Sequence, residues 1–397
     1  MMQAHGKSIL ITVIVVVAGL LAMELGVRTL VPQILVRGYN VPDPDLGTYV
    51  APNARYRDTY TKEQSYDVRT NGAGFRMDEE VSLSEDRRRA LVYGDSFTFG
   101  WGLELKDTYF QILKKAAETA DPRLQLLNAG VGGYGSGHVK KLMDRHIPAL
   151  KPAAIVYFFN NNDLVDNAIT DIDYRVTAFR VGADGQPALA DVQPFAPWKR
   201  FALNHTPYAW LNRNSHLFVA AKSALKVALK WKPGIVRPQM VDLPIPAQTP
   251  AVAAGQPAFA LKLPPSGQTE PAIERMIYIS ELHIRRIAQN ATAAGVPIML
   301  IWVPAPEEMF PPSPPSPAVQ LLIRGRTMLS RVANETPGMV FDDIPRRIPS
   351  GPDWQSGRGK LRLSDGHFNA DGAAWYAAIV KPMMLNFLSR IKTPKSP

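Results

Sequence analysis

The chain is 397 residues long, contains no cysteine and carries a formal net charge of +10. This length accommodates one large domain or two modest ones, with ample core. The lack of cysteine excludes disulfides, thiolate zinc sites and cysteine nucleophiles. The positive charge favours anionic surroundings such as a lipid surface or an acidic polymer. Because no nucleic-acid-binding motif accompanies that charge, we expect no nucleic-acid partner.

An apolar run near the start, Ser8 to Met23, predicts a helix that anchors the chain in a membrane. Its apolar face continues to Val31, so the anchor is placed at 8–31, behind a cytoplasmic stub of residues 1–7. A cleaved signal peptide is the alternative, but a small-x-small cleavage site is poorly matched because Leu20 precedes Ala22 by two positions. Since so few residues precede the run, we expect everything after it to lie outside the cytoplasm.

The next segment, 32–88, is interpreted as an extracytoplasmic lead-in, and its part from Val41 to Glu79 is predicted to be irregular. It contains the turn-forming cluster Thr70 to Arg76, which we expect to pack against the following domain. Strand-like and helix-like segments then alternate across 89–393. Such alternation predicts an α/β domain whose parallel central sheet is covered by helices on both faces.

This alternation is interrupted by an insertion at about 169–270. The insertion begins with a predicted hairpin, Tyr174 to Ala190, that turns at Asp184 and Gly185. A helix predicted over His216 to Trp231 carries lysines at four-residue steps. Such a helix could bind a membrane surface or a polyanion, but the sequence favours the simpler interpretation that its lysine face is exposed to solvent. A Pro-rich excursion follows.

A short apolar strand, Ala90 to Tyr93, ends at Gly94, and Ser96 follows at the entrance of a helix. Open α/β folds bind their ligands at this carboxyl edge of the sheet. The amide groups that begin a helix also stabilise a developing negative charge. Ser96 is therefore the candidate nucleophile.

A serine nucleophile needs a base that a carboxylate orients. Of the seven histidines, only His367 lies in a glycine-containing loop directly ahead of a predicted helix, with Asp365 two positions before it. A loop at the sheet edge can bring this imidazole to Ser96 while Asp365 holds its other nitrogen. A simple turn is the alternative interpretation of this Asp-Gly-His sequence.

Two further segments follow strands and offer donors to an oxyanion. The loop from Asn128 to Gly135 is dense in glycine, which lets an amide approach a ligand closely. A phosphate-binding loop is disfavoured because no Gly-Lys-Ser/Thr ending follows. The run from Asn160 to Asp163 adds carboxamides at a strand end. A metal site at Asp163 and Asp166 lacks a neighbouring third ligand, so the sequence predicts neither metal nor cofactor.

These four segments resemble the blocks of the SGNH (GDSL-type) hydrolases, in the family's order. The matching residues are Gly94-Asp95-Ser96, Gly133 five positions after Asn128, Asn162 with Asp163, and Asp365 with His367. The resemblance implies a flavodoxin-like three-layer α/β/α fold with a parallel central sheet. It also implies Ser96 as nucleophile, His367 as base, Asp365 as orienting acid, and an oxyanion hole formed by the Ser96 and Gly133 amides with the Asn162 side chain. The anchor and the lead-in look like those of membrane-tethered bacterial members.

The chain departs from the family pattern at two positions. Asp365 stands two residues before the histidine where many members have three, a shorter spacing that glycan O-acetylating relatives share. Asn160 stands where a glycine is common. An α/β-hydrolase is disfavoured because Thr98 breaks the Gly-x-Ser-x-Gly pattern.

Together these observations predict a membrane-anchored serine esterase that acts through an acyl-enzyme on O-acyl groups of envelope glycans or lipids. Two alternatives stay open. One is an O-acyltransferase that passes an acetyl group to a polysaccharide with the same triad, and the other is a non-catalytic glycan-binding scaffold. The expected partners are an acyl-ester substrate and the membrane, and the sequence does not predict an oligomeric state.

Overall fold

The computed structural model describes residues 2–31, 33, 35, 39–43, 45–61, 64–168, 177–181, 187–191, 207–228, 270–305, 308, 315–348, 361–363 and 366–391. The chain divides into two compact units. The anchor unit comprises residues 1–42 and 195–236, and the sheet unit comprises residues 43–194 and 237–397.

The described strands are β1 (Asn40–Asp43), β2 (Gly47–Val50), β3 (Arg55–Thr61), β4 (Gln64–Arg69), β5 (Arg88–Tyr93), β6 (Leu124–Asn128), β7 (Ala154–Asn160), β8 (Thr177–Val181), β9 (Pro187–Asp191), β10 (Ile298–Val303) and β11 (Met339–Asp342). The described helices are α1 (Met2–Leu30), α2 (Ser96–Phe99), α3 (Tyr109–Ala120), α4 (Ser136–Leu150), α5 (Asp163–Asp166), α6 (Pro207–Asn214), α7 (His216–Ala228), α8 (Glu270–Ala293), α9 (Pro317–Glu335) and α10 (Ala370–Ser389).

The sheet unit is built on five parallel strands in the order β11-β10-β7-β5-β6. Strands β6, β7 and β10 are buried at every position, as expected for continuous apolar strands covered on both faces. Helices α3 and α10 pack together, while α8 packs against both α4 and α9. The strand order is the flavodoxin-like one, and the predicted three-layer α/β/α fold is confirmed.

The order of the strands also determines where a ligand site is expected. The chain runs outward from β5 to β6 and then returns to β7 on the other side of β5. Connections therefore reverse direction between β5 and β7, and the carboxyl ends of these two strands flank a crevice. Ser96 follows β5 and the run Asn160 to Asp163 ends β7, so both lie at this switch point.

The prediction that the lead-in is irregular from Val41 to Glu79 is wrong for the central part of that stretch. Strands β3 and β4 form an antiparallel pair with Arg55 opposite Arg69. Asp58, Tyr66 and Val68 are buried, and the Tyr66 hydroxyl donates to Asp58 Oδ2 at 2.9 Å. The alternation that marks a half-buried strand is present, but Val68 is the one aliphatic residue among these three buried positions, and a polar and an aromatic residue occupy the other two.

The lead-in packs into the sheet unit through Arg76, which is 1% exposed. Its Nη1 donates to the carbonyl oxygens of Phe99 and Gly100 at 2.9 and 2.5 Å. Its Nη2 donates to those of Asp67 and Leu103 at 3.1 and 2.6 Å. One guanidinium thus joins β4 of the lead-in to the loop that follows α2.

Replacing Arg76 by methionine is expected to lower the free energy of unfolding by about 3 kcal/mol or more, because several buried carbonyl groups lose their donors at once. The measurement is urea unfolding followed by circular dichroism. Arg57→Met is the matched control, since Arg57 pairs with Asp67 at the surface and is expected to cost less than about 1 kcal/mol. Equal midpoints for Arg76→Met and the parent would contradict this role.

The buried His146 makes the stability depend on pH. Its ring lies 5.2 Å from that of Phe75 and 6.0 Å from that of Tyr93. Burial lowers the pKa of His146 from 6.5 to about 3. The folded state therefore keeps this imidazole neutral while the unfolded chain takes up a proton below pH 6.5, so stability is lost progressively as the pH falls from about 6.5 to about 3.

His146→Gln is expected to remove this contribution, because glutamine does not titrate. The parent should lose about 2 kcal/mol through His146 between pH 7.5 and pH 5. Urea unfolding of the two proteins at both pH values measures the difference. An identical pH dependence in the two proteins would show that His146 is not buried in its neutral form.

The hairpin predicted in the insertion is present as the antiparallel pair β8 and β9, with Thr177 opposite Asp191. Its predicted turn at Asp184 and Gly185 lies outside the described residues, as does the Pro-rich stretch 233–265. The lysine-bearing helix extends over His216–Ala228 in the described part of the chain.

Candidate active site

Ser96 is the first residue of α2 and lies at the carboxyl end of β5. Asp95 caps this short helix, and its Oδ1 accepts a hydrogen bond from the Phe97 N–H at 2.9 Å. A glycine is required at position 94 because a Cβ there would overlap Thr98 Oγ1. The tight turn from strand to helix therefore depends on Gly94 and Asp95, and it presents Ser96 at the switch point.

His367 reaches Ser96 from the other end of the sequence. Its Nε2 lies 2.7 Å from Ser96 Oγ, within hydrogen-bond distance. The loop that carries it is held by a bridge between Arg362 and Phe368, and by the Leu363 N–H, which donates to the His367 carbonyl at 2.7 Å. The structure thus brings together two of the residues that the sequence predicts to be catalytic.

Two aromatic rings flank the His367 imidazole. The centroid of Phe97 lies 4.7 Å from that of the imidazole, and the centroid of Trp101 lies 5.8 Å away with nearly parallel planes. Rings in these positions restrict rotation of the imidazole and keep Nε2 directed at Ser96. The sequence reasoning missed both residues, whose only signal is aromatic character in the turns after the nucleophile.

Asp365, the predicted orienting acid, lies outside the described residues. Its role stays a prediction.

The glycine-rich loop after β6 passes close to Ser96. A Cβ on Gly132 would lie 3.8 Å from Ser96 Cβ, and one on Gly130 would lie 2.7 Å from Thr98 Cβ. Gly133 has a φ of +81°, which favours glycine. The lack of side chains is what lets this loop lie against α2, and it puts Gly132, the residue before Gly133, beside the nucleophile.

Asn162, the third predicted oxyanion donor, stands just before α5. Its Nδ2 donates to Asp166 Oδ2 at 2.9 Å. A carboxamide nitrogen has two hydrogens, so this bond orients the group and uses only one donor. The bond to Asp166 is thus compatible with donation of the second hydrogen to an oxyanion.

The unusual Asn160 connects the end of β7 to the turn that holds the nucleophile. Its Nδ2 donates to Asp95 Oδ2 at 2.7 Å, and both side chains are buried. Burial raises the pKa of Asp95, while the bonds from Asn160 and the Phe97 N–H act in the opposite direction. A glycine at position 160 could not make this bond, so the departure from the family pattern has a structural role here.

The neighbouring Asp163 is a buried structural acid. Its Oδ2 accepts from the Tyr157 hydroxyl at 2.9 Å and from the Asn160 N–H at 3.2 Å. Burial raises the pKa of Asp163 well above its usual range. Among the residues that the structure describes, no group of three or more His, Asp or Glu side chains is arranged to hold a metal ion.

Asn160→Ala is expected to lower the free energy of unfolding by about 1–3 kcal/mol, because buried Asp95 loses a donor. Asn161→Ala is the matched control, as Asn161 is half-buried and adjacent in sequence. Thermal unfolding of both variants beside the parent measures the difference. A larger loss in Asn161→Ala than in Asn160→Ala would show that the Asp95 bond contributes little.

Neither a protein-family model nor a curated protein sequence matches the chain. The chain is similar to several solved structures. TesA is 12% identical over 76% of this chain and 99% of its own, with a TM-score of 0.39. The psychrotrophic esterase EstA from Pseudoalteromonas sp. is 10% identical over 76% of this chain and 100% of its own, with a TM-score of 0.39. The lipase/acylhydrolase from Enterococcus faecalis is 12% identical over 78% of this chain and 100% of its own, with a TM-score of 0.36.

The fold and the site agree with the resemblance found in the sequence. The flavodoxin-like strand order and the contact between Ser96 and His367 at the switch point are the features that the resemblance to SGNH (GDSL-type) hydrolases implies. The described residues that carry this resemblance lie directly after β5, β6 and β7 and, for His367, just before α10.

Proposed function

We propose that the chain is a serine-dependent ester hydrolase that works through an acyl-enzyme. The observation that carries the proposal is the 2.7 Å contact between Ser96 Oγ and His367 Nε2 at the carboxyl edge of the sheet. A serine hydroxyl is a weak nucleophile until an adjacent base accepts its proton. An imidazole in direct contact with the hydroxyl meets that requirement.

In the proposed mechanism Ser96 Oγ attacks the ester carbonyl carbon while His367 Nε2 takes the hydroxyl proton. The oxyanion of the tetrahedral intermediate accepts hydrogen bonds from the Ser96 and Gly133 amides and from Asn162 Nδ2. The intermediate collapses with loss of the alcohol, which receives the proton from His367. Water, deprotonated by His367, then attacks the acyl-enzyme and releases the acid. Asp365 is assigned the orientation of the imidazole through Nδ1.

The location proposed for the sheet unit is outside the cytoplasm, held by α1 as an uncleaved anchor. Residues Ser8–Leu30 of this helix are long and apolar enough to cross a membrane. A signal sequence has the same character. The uncleaved form is supported by contacts within the anchor unit, where Glu24 and Arg28 of α1 bind residues at the junction of α6 and α7.

The substrate class that fits this location and the net charge of +10 is an O-acyl group on an envelope glycan or lipid. Transfer of the acyl group to a sugar hydroxyl would use the same serine and histidine as hydrolysis. Which acceptor attacks the acyl-enzyme therefore distinguishes an esterase from an acyltransferase.

The test uses the detergent-solubilised full chain with p-nitrophenyl acetate, with and without an oligosaccharide acceptor. Mass spectrometry follows the acetyl group, and a fluorophosphonate identifies the reactive serine by peptide mapping. Acetate release together with an adduct on Ser96 is the expected result, and acetylated sugar would indicate a transferase. An adduct on another serine, or no turnover under either condition, would overturn the catalytic proposal and favour a glycan-binding scaffold.

A further inference from the structure

The outer end of α1 is bound to the junction between α6 and α7. Within the anchor unit, the Glu24 carboxylate accepts hydrogen bonds from the Ser215 hydroxyl at 2.8 Å and from the His216 and Leu217 amides at 3.0 and 2.9 Å. These two amides begin α7 and have no partner inside that helix. An acidic group from α1 therefore caps the N-terminus of α7.

A second charge of α1 binds the other helix of the pair. Arg28 Nη2 donates to the Asn214 carbonyl, the last residue of α6, at 2.8 Å, and it also contacts Glu24 at 3.2 Å. The carboxylate thus meets the positive end of one helix dipole, and the guanidinium meets the negative end of the other. The Gln33 N–H adds a bond to His216 Nδ1 at 2.8 Å.

The position of Glu24 along α1 relates this junction to a bilayer. The apolar run from Ser8 to Met23 rises by about 24 Å in a helix, and the hydrocarbon core of a bilayer is about 30 Å thick. In a spanning α1 whose hydrocarbon-buried part begins at Ser8, Glu24 consequently lies about 6 Å inside the outer boundary of the hydrocarbon. A carboxylate at that depth is costly unless it is paired, and the donors of α7 satisfy it. The junction of α6 and α7 must then lie at the same depth.

The described part of this helix pair exposes side chains that suit such a boundary. Tyr208 and Trp210 on α6 are 42% and 63% exposed, and Leu225 on α7 is 58% exposed. Aromatic residues of this kind are enriched where a membrane meets water. The two helices form one element because Lys222 on α7 donates to Asn212 and lies 5.7 Å from the Tyr208 ring centroid.

We infer that α6 and α7 form an interfacial hairpin that binds the lipid surface around α1, with Trp210 and Leu225 in contact with lipid. The occupant of its exposed apolar face is the bilayer, because the pair is bound to the outer end of the only described helix long and apolar enough to cross one. The inference rests on the proposed membrane anchoring and is independent of the esterase activity.

The natural absence of cysteine makes the test direct, since a single cysteine can be introduced anywhere. Leu225→Cys and Ser223→Cys are both exposed positions on α7, and two residues apart on a helix they point in nearly opposite directions. Each full-length protein is labelled with an environment-sensitive fluorophore and reconstituted in vesicles of phosphatidylcholine and phosphatidylglycerol. Quenching by brominated lipids is compared with quenching by aqueous iodide.

The expected result is that lipid quenches the Leu225→Cys probe at least about threefold more than the Ser223→Cys probe. Adding Glu24→Ala to Leu225→Cys should reduce this lipid quenching, because the junction is released, while p-nitrophenyl acetate turnover stays unchanged. Equal quenching at the two positions would overturn the inference. Self-quenching between labelled chains without lipid quenching would also overturn the inference. It would show that a second copy of the chain covers the exposed apolar face of α6 and α7.

The same samples separate this inference from the proposals on which it rests. Failure of the protein to float with the vesicles would overturn the anchor and the interfacial hairpin together. Flotation without lipid quenching at Leu225→Cys would overturn the hairpin alone. Absence of ester turnover in the parent would overturn the proposed esterase function and would not affect the conclusion from the quenching.

Discussion

Ser96→Ala is expected to lower the turnover of p-nitrophenyl acetate by about 10⁴-fold or more. The alanine has no oxygen to form the acyl-enzyme, so any remaining reaction must use water directly within the oxyanion hole. Steady-state rates of the detergent-solubilised full chain, measured beside the parent, give the ratio. Because the described hydrogen-bond partner of the Ser96 hydroxyl is His367, the thermal unfolding of the variant should remain close to that of the parent.

The matched control is Ser84→Ala, which removes an exposed side-chain hydroxyl whose described hydrogen-bond partner is the nearby Asp86. It should turn over ester at the rate of the parent. A Ser96→Ala protein that keeps a tenth or more of the parent rate would exclude Ser96 as the nucleophile. A large drop in both variants would indicate damage to the fold instead of loss of a catalytic group.

His367→Ala is expected to lower turnover by about 10³-fold or more, because Ser96 loses the base that accepts its proton. The substitution also opens a space between the Phe97 and Trp101 rings, which flank the imidazole. Free imidazole is therefore expected to restore part of the lost rate in His367→Ala but not in Ser96→Ala. Rates across an imidazole titration measure this rescue.

The control for the base is His216→Ala, which removes a histidine of the anchor unit that binds the Gln33 amide. Its rate should match that of the parent. If imidazole does not rescue His367→Ala, loss of proton transfer does not explain the lower turnover. A normal rate in His367→Ala would exclude His367 as the base. Asp365→Asn, tested in the same series, addresses the role that the sequence predicts for that carboxylate.

Much of the sheet unit was predictable because its strands are buried on both faces. Such strands appear as short continuous apolar runs, as in β7, β10 and the Ala90 to Tyr93 part of β5, whereas Gln125 interrupts the run in β6. The helices between them show an apolar period of 3.6 residues. In α8, for example, the buried Ile284, Ile287 and Ala291 recur at steps of three and four residues.

The lead-in shows where this reasoning fails. Its strands β3 and β4 have no aliphatic alternation, because Asp58 and Tyr66 occupy buried positions and bond to each other. Arg76 is equally misleading, since a charged residue is normally exposed. It is buried because carbonyl groups from distant segments accept its hydrogens, and those partners are not visible in the local sequence.

The sequence alone determined which residues are chemically able to form the candidate site. Turn residues around Ser96, glycines after β6 and a histidine loop ahead of the last helix are local features, and local sterics dictate the turn and loop conformations in which they occur. The family resemblance then assigned them roles.

Only the tertiary structure decided what these groups contact. The 2.7 Å contact between Ser96 and His367 joins residues 271 positions apart. The flanking of the imidazole by Phe97 and Trp101, the bond from Asn160 to Asp95 and the capping of α7 by Glu24 likewise join separate segments or turns. Such contacts depend on strand order and on the packing of whole elements, and both arise from burial summed over the chain instead of from any local pattern.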